Sequence, residues 1–106
     1  MGFATWLRTR FSYRRKAISR YRRGMATANR RDHNGAITDY SSVIESPHAP
    51  DDVKAMATYN RALAYSSVRE DERAADDLAT VLAMPGLPAS VKNHAQQRRE
   101  RIRRRD

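Results

Sequence analysis

The most constraining feature of this chain of 106 residues is that it resembles itself when it is shifted by 38 positions. Self-similarity at a fixed period is the sequence signature of a repeat architecture, in which each unit is one small supersecondary element. The match continues beyond the second unit, so a third unit begins at about Pro88 and then stops. The identical pairs include Tyr21 and Tyr59, Arg23 and Arg61, Ala26 and Ala64, Arg31 and Arg69, Ala36 and Ala74, Asp39 and Asp77, Val43 and Val81, Pro47 and Pro85, Pro50 and Pro88, Val53 and Val91, Lys54 and Lys92, and Ala57 and Ala95.

Each unit divides into two predicted helices. The first unit has a helix from about Arg14 to Arg30, and a second that starts after Asp32, a residue suited to an N-cap, and ends at Ser46 before two prolines. In that second helix, apolar residues recur at the spacing of one helix face. They are Ala36, Ile37, Tyr40, Val43 and Ile44, and the corresponding set in the second unit is Ala74, Ala75, Leu78, Val81 and Leu82.

The remaining boundaries follow from charges and prolines. Asp51 and Asp52 suit the start of the second unit's first helix, because carboxylates are favourable at a helix N-terminus. That unit turns at residues 70–72 and breaks at residues 84–88, and a last helix follows from Ala89 to about Arg104. Small residues at Gly24, Ala36, Ala62 and Ala74 would let the paired helices approach closely.

These residues resemble the tetratricopeptide repeat (TPR), a helix–turn–helix unit of 34 residues. In the first unit Gly24, Ala36, Tyr40 and Val43 stand at family positions, and the run 59–65 is the most TPR-like in the chain. In the second unit the matching residues are Ala62, Tyr65, Ala74, Leu78 and Val81. The departures are Arg20 and Thr58 where the family often has a large residue, Thr27 in place of Tyr, and a loop near 46–52 that accounts for the longer period.

The resemblance implies an all-α, right-handed superhelix of antiparallel hairpins with five main helices. We expect a basic N-terminal segment over residues 1–13, either helical or disordered. TPR-like units over 14–50 and 51–87 follow, and an Arg-rich helix over 88–106 caps the array. If the ends are not capped, their exposed faces favour a homodimer.

Proteins that resemble TPRs bind peptides or protein segments in a groove lined by the first helix of each unit. Transferred residue by residue, the groove would contain Tyr and Arg, which often anchor interfaces, and adaptable Met. Met25 and Leu63 could instead pack between units, and for these two the core position is favoured. The expected groove residues are Ile18, Tyr21, Arg22, Met25, Asn29, Met56, Tyr59, Asn60, Leu63, Ser66, His94 and Arg98. Only Asn60 and Arg98 match the five-residue clamp with which one TPR subclass holds chaperone tails, so we do not predict such a receptor.

The net charge of +9 is concentrated at the two ends. Residues 1–31 contain ten Lys and Arg and no acid, and residues 98–106 contain six Arg against two acids, whereas the middle is acidic. Basic ends attract acidic partners or nucleic acid, unless they only form a solvated fringe. Sequence-indifferent RNA binding is therefore the alternative function, with candidate contacts at Arg14, Arg15, Lys16, Arg22, Arg23, Arg99 and Arg103.

Several other classes of protein are excluded or disfavoured. The chain has no cysteine, so it has no disulfide, thiolate metal site or cysteine nucleophile. Its three histidines lack metal-ligand spacing, and no nucleophile stands beside a predicted base, so we expect neither an enzyme nor a cofactor nor a metal site. No run is apolar enough for a membrane span. We expect a cytoplasmic protein; the Arg-rich start also fits a mitochondrial targeting segment.

The sequence thus predicts a non-catalytic interaction module. Its expected partner is a peptide or protein segment of acidic character, held in a groove between the first helices of the units, with the basic ends steering association.

Overall fold

A computed structural model describes residues 2–105. Within that range the chain is all-α, with five helices and no strand, which confirms the predicted fold class. The first helix continues through most of the predicted N-terminal segment, so residues 3–13 do not form a separate element; Met1 and Asp106 lie outside the described residues. The helices are α1 (Phe3–Asn29), α2 (His33–Glu45), α3 (Asp51–Ser67), α4 (Asp71–Leu82) and α5 (Ala89–Arg105).

The two hairpins, α1–α2 and α3–α4, turn through the same backbone conformation. Arg31 and Arg69 both have a φ of 65°, in the left-handed region that favours glycine. The N–H of Asp32 donates to the carbonyl of Thr27 at 3.1 Å, which closes a Schellman motif, and the second hairpin repeats this bond. Asp32 also accepts the N–H of Gly35 at 3.0 Å and so is the predicted N-cap of α2.

Two hydrophobic cores hold the helices together, and both are rich in alanine. Because alanine adds little volume, the helices of each hairpin lie close together and larger residues fill the spaces between them. One core joins α1, α2 and the start of α3 through Ala17, Ala36, Tyr40, Val43, Ala49, Val53 and Ala57. The other joins α3, α4 and α5 through Ala55, Tyr59, Ala62, Ala74, Leu78, Val81, Ala95 and Ile102.

The closest helix contact in the first hairpin is between Gly24 and Tyr40. A Cβ added at Gly24 would lie 2.6 Å from a carbon of the Tyr40 ring, which is itself 1% exposed. In the second hairpin the equivalent residues are Ala62 and Leu78. Alanine is larger than the glycine of the first hairpin, and leucine is smaller than its tyrosine. The two units therefore fill the same contact with complementary pairs.

We expect the Gly24–Tyr40 pair to tolerate the residues of the second hairpin only when both positions are changed together. Gly24→Ala alone should destabilise the protein, because overpacking costs about 1–3 kcal/mol and exceeds the gain in helix propensity of about 1 kcal/mol. Adding Tyr40→Leu should recover stability, since the double variant reproduces the contact of the second unit. Urea unfolding of both single variants and the double variant measures the coupling; additive effects would contradict the complementary packing.

Helix α5 extends the second core but leaves most of its own surface exposed. Its buried residues are Ala95 and Ile102, and Arg105 reaches Asp71 at 3.4 Å near the start of α4. The outer face, rich in arginine, is exposed, as expected of a terminal helix in a repeat array.

Helix α1 is longer than its partner and extends past the rest of the fold. It has 27 residues, whereas α2 has 13. The ring of Tyr13 stacks on His48 at 4.4 Å, and Arg14 pairs with Asp52. These two residues are the N-terminal limit of the contacts that α1 makes with the rest of the fold. Residues 2–11 are all exposed. Among the helices described here, none is at once long and apolar enough to cross a membrane.

The same Arg–Asp pair recurs in both hairpins. Arg23 pairs with Asp39 at 3.0 Å, and Arg61 pairs with Asp77 through two bonds of 2.8 Å. The second pair is more buried, and Arg61 also donates to the Ser41 hydroxyl at 3.0 Å. Its hydrogen bonds and its proximity to the carboxylate raise the pKa of Arg61 above its usual value. Arg61 thus joins α3 to both α4 and α2.

Removing the Asp77 carboxylate should lower the free energy of unfolding more than removing the Asp39 carboxylate. Asp77→Asn leaves Arg61 without its charge partner in a site where that side chain is only 19% exposed, and we expect a loss of about 2–4 kcal/mol. Asp39→Asn should cost no more than about 1 kcal/mol, because Arg23 is 65% exposed and water can solvate it. Chemical denaturation of the two variants compares their losses, and equal losses would show that burial does not make the Arg61–Asp77 pair more costly to break.

Candidate binding groove

A groove of about 390 Å³ lies between α1 and α3, and the loop between α4 and α5 borders it. Its volume falls in the range of about 300–1,000 Å³ that is typical of ligand-binding clefts. The surface is mainly apolar, with charged groups among the residues that line it. The lining residues are Ile18, Tyr21, Arg22, Met25, Asp52, Val53, Met56, Gly86 and Pro88.

Helix α1 contributes four of these residues from successive turns. Ile18, Tyr21, Arg22 and Met25 stand at i, i+3, i+4 and i+7, so they share one helix face. Met56 projects from α3 into the same groove. The structure therefore brings together Tyr21, Arg22, Met25 and Met56, which the sequence placed in one groove. Met25 is 37% exposed and lines the groove rather than the core.

Hydrogen bonds fix the tyrosine of the groove. The Asn60 side-chain amide donates to the Tyr21 hydroxyl and to the carbonyl of Met56, both at 2.9 Å. Burial raises the pKa of Tyr21, and its ring lies 6.0 Å from that of Tyr40, centroid to centroid. Asn60 thus acts behind the groove, where it links α1 to α3.

Both signs of charge are present at the groove. Arg22 is exposed. Asp52 lies beside the groove and pairs with Arg14 at 3.0 Å, and this pairing lowers the pKa of the Asp52 carboxyl. Since Asp52 is already paired, Arg22 is the cation best placed to meet a negatively charged group in the groove.

The border formed by the α4–α5 loop depends on Gly86. This residue has a φ of 86°, and a Cβ there would approach the backbone of Asp52 to 3.0 Å. Glycine therefore lets the loop lie against the start of α3. Sequence reasoning missed Asp52, Val53, Gly86 and Pro88 as lining residues, and the Pro-Gly pair at residues 85–86 was the signal that could have indicated a tight loop.

Besides Asn60, six predicted groove residues lie elsewhere. Ser66 is half-buried near the end of α3 and does not line the groove. Tyr59 is 9% exposed and belongs to the second core, and Leu63 packs against that core, so neither lines the groove. Asn29 is exposed at the last position of α1. His94 and Arg98 line a separate shallow depression on α5. The resemblance assigned these positions by alignment, whereas the structure divides them among the second core, the ends of α1 and α3, and α5.

Three of the candidate nucleic-acid contacts form ion pairs within the chain. Arg14 pairs with Asp52 and Arg23 with Asp39. Arg103 lies 3.9 Å from Glu100 on the exposed side of α5. The others are exposed, but they are divided between α1 and α5; they are Arg15, Lys16, Arg22 and Arg99.

No group of three or more His, Asp or Glu side chains within residues 2–105 is arranged to hold a metal ion. The expectation that the protein uses no metal or cofactor and is not an enzyme stays a prediction.

Comparison with known proteins identifies no relative. No family model matches the chain, and no curated protein or solved structure matches it. Membership of the TPR family is therefore a prediction that depends on the residues alone.

Alkaline pH should weaken the packing beside the groove. Burial raises the pKa of Tyr40 to about 12, whereas a tyrosine in the unfolded chain titrates at about 10. The folded state favours the protonated hydroxyl of Tyr40, so its contribution to stability is present below pH 10 and is lost as the pH rises from about 10 to 12. We expect the Tm to fall over this window and to fall less in Tyr40→Phe. An identical pH profile in the variant would contradict the assignment to Tyr40.

Proposed function

We propose that this protein is a non-catalytic interaction module that binds a peptide or protein segment in the groove between α1 and α3. The observation that carries the proposal is the groove itself, in which Met25, Met56 and Ile18 form an apolar surface beside exposed Arg22. Apolar area supplies most of the driving force for binding, and a cation beside it favours an acidic residue in the ligand.

The architecture supports the proposal that the chain is a TPR-like repeat protein. Two hairpins turn through the same left-handed residue, contain the same Arg–Asp pair and pack through small residues at the same positions. In that proposal the hairpins stack into a right-handed superhelix, and α1 and α3 are the helices that face the ligand. A cytoplasmic location belongs to the same proposal.

The acidic character of the partner follows from the charge distribution. Residues 1–31, which contribute α1 to the groove, hold ten cations and no acid. Such a field accelerates association with an acidic segment and weakens with added salt. The apolar contacts to the two methionines should keep much of their strength at high salt, because they do not depend on charge.

Selection of short random peptides displayed on phage tests the proposal directly. We expect the enriched peptides to combine large apolar residues with Asp or Glu. Their affinity, measured by fluorescence anisotropy, should fall by at least about tenfold in the double variant Met25→Ala/Met56→Ala, since two partly buried side chains lose their contact. Arg22→Gln should reduce the affinity several-fold at low salt and less at high salt.

The matched control is Leu7→Ala, which removes an exposed apolar side chain from α1 outside the lining of the groove. It should leave the peptide affinity unchanged, and circular dichroism should show equal helix content in all variants. If no peptide is enriched and a labelled single-stranded RNA binds with a steep salt dependence, the arginine clusters bind nucleic acid and the groove proposal is wrong.

A further inference from the structure

The first nine residues of α1 form a helical extension with an uncovered apolar face. Phe3, Trp6, Leu7 and Phe11 are 73%, 52%, 36% and 57% exposed, and they are four of the five large hydrophobic residues that are exposed in the described part of the chain. Phe3, Leu7 and Phe11 recur at i, i+4 and i+8, and Trp6 stands one turn from Phe3, so all four lie on one side of the helix. We name these four residues the N-terminal apolar face.

This face is separate from the groove. The ion pair of Arg14 with Asp52 lies between Phe11 and Ile18, the first groove residue on α1. Within residues 2–105 no other element packs on the extension, because α2 is too short to reach it and the following loop first meets α1 at Tyr13. The apolar side chains therefore remain exposed to water in the isolated chain.

Two arginines lie in the extension, and further cations follow it directly in α1. At 100° per residue, Arg8 and Arg15 border the apolar face on the side of Phe11. Arg10 lies within the face, over the ring of Trp6. Lys16 lies on the side of the helix opposite Leu7. Arg8, Arg10, Arg15 and Lys16 form no ion pair within residues 2–105. The nearest acid in sequence is Asp32, far along the chain. Exposed Trp, Phe and Leu side chains beside unpaired cations favour an anionic membrane interface, because burial of apolar area and electrostatic attraction to the lipid then act together.

We propose that the N-terminal apolar face inserts into the surface of an anionic lipid bilayer and that α1 thereby anchors the protein to it. The aromatic rings lie at the level of the headgroups, where Trp is favoured, and Leu7 enters the acyl boundary. The arginine and lysine side chains extend to the lipid phosphates and carboxylates, and each adds to the attraction. The groove lies farther along the same helix, beyond the Arg14–Asp52 pair.

Two other occupants fit the observations less well. A second copy would bring the unpaired cations of two extensions within one Debye length, where they repel each other. Single-stranded nucleic acid would stack on open ring faces, but Phe3 packs on Trp6 with the ring centroids 5.7 Å apart, and Arg10 covers Trp6 at 5.1 Å. Leu7 has no ring to stack on.

The single tryptophan of the chain reports on this site directly, because Trp6 belongs to the proposed contact. The full chain is titrated with phosphatidylcholine vesicles containing about a quarter phosphatidylglycerol and with vesicles of phosphatidylcholine alone. We expect the Trp6 emission to shift to shorter wavelength with the anionic vesicles and to change little with the neutral ones. The protein should also sediment with the anionic vesicles, and added salt should release it.

Matched variants separate the apolar and the basic contributions. Leu7→Glu should lower the partition coefficient by at least about tenfold, whereas Ala79→Glu on the exposed side of α4 adds the same charge and should lower it much less. Arg8→Gln with Arg15→Gln should weaken binding more than Arg99→Gln with Arg103→Gln on α5. Circular dichroism should show that all these variants keep their helix content.

Three results would overturn the proposal. The first is no spectral shift and no sedimentation with anionic vesicles. The second is a blue shift that grows with protein concentration alone and accompanies a doubled mass in light scattering, which would assign the face to a second copy. The third is quenching of Trp6 by single-stranded RNA at concentrations at which vesicles have no effect, which would assign it to nucleic acid. None of these results depends on peptide binding in the groove, so the two proposals are tested separately.

Discussion

The close approach of paired helices is the constraint on which the rest of this structure depends. Most of the fully buried side chains are alanines, and the few large ones fit against a small partner on the facing helix. Gly24 admits the ring of Tyr40, and in the second hairpin Ala62 stands opposite Leu78. A core of this kind gains stability from close backbone contact, so each large side chain must have room provided for it on the opposite helix.

The interactions that recur in the two units are those that build a hairpin. Both hairpins place an arginine in the left-handed region, and both join their helices with an Arg–Asp pair. Further contacts, made by α3 alone, determine how the hairpins meet each other. Arg61 reaches Ser41 as well as Asp77, and Asn60 reaches Tyr21, so the second unit holds the first through polar groups on α3.

Helix α1 serves two surfaces because it is longer than the hairpin requires. Its second half packs on α2 and presents Ile18, Tyr21 and Met25 to the groove, whereas its first turns extend beyond the fold. The Arg14–Asp52 pair lies at the boundary between the two halves. Basic residues run along both halves, so any partner of either surface meets a positive field.

The sequence by itself determined the all-α class, the two hairpins and the N-cap at Asp32, because these depend on local periodicity, capping and the recurrence of 38 residues. The resemblance to the TPR also placed Tyr21, Arg22, Met25 and Met56 in one groove, and the structure brings these four side chains together. Only the tertiary structure decided that Tyr59 is buried, that Gly86 lets a loop border the groove, and that residues 3–11 extend into solvent. The physical reason is that burial depends on the distance between helices and on their relative lengths, which are set by contacts between residues far apart in the chain.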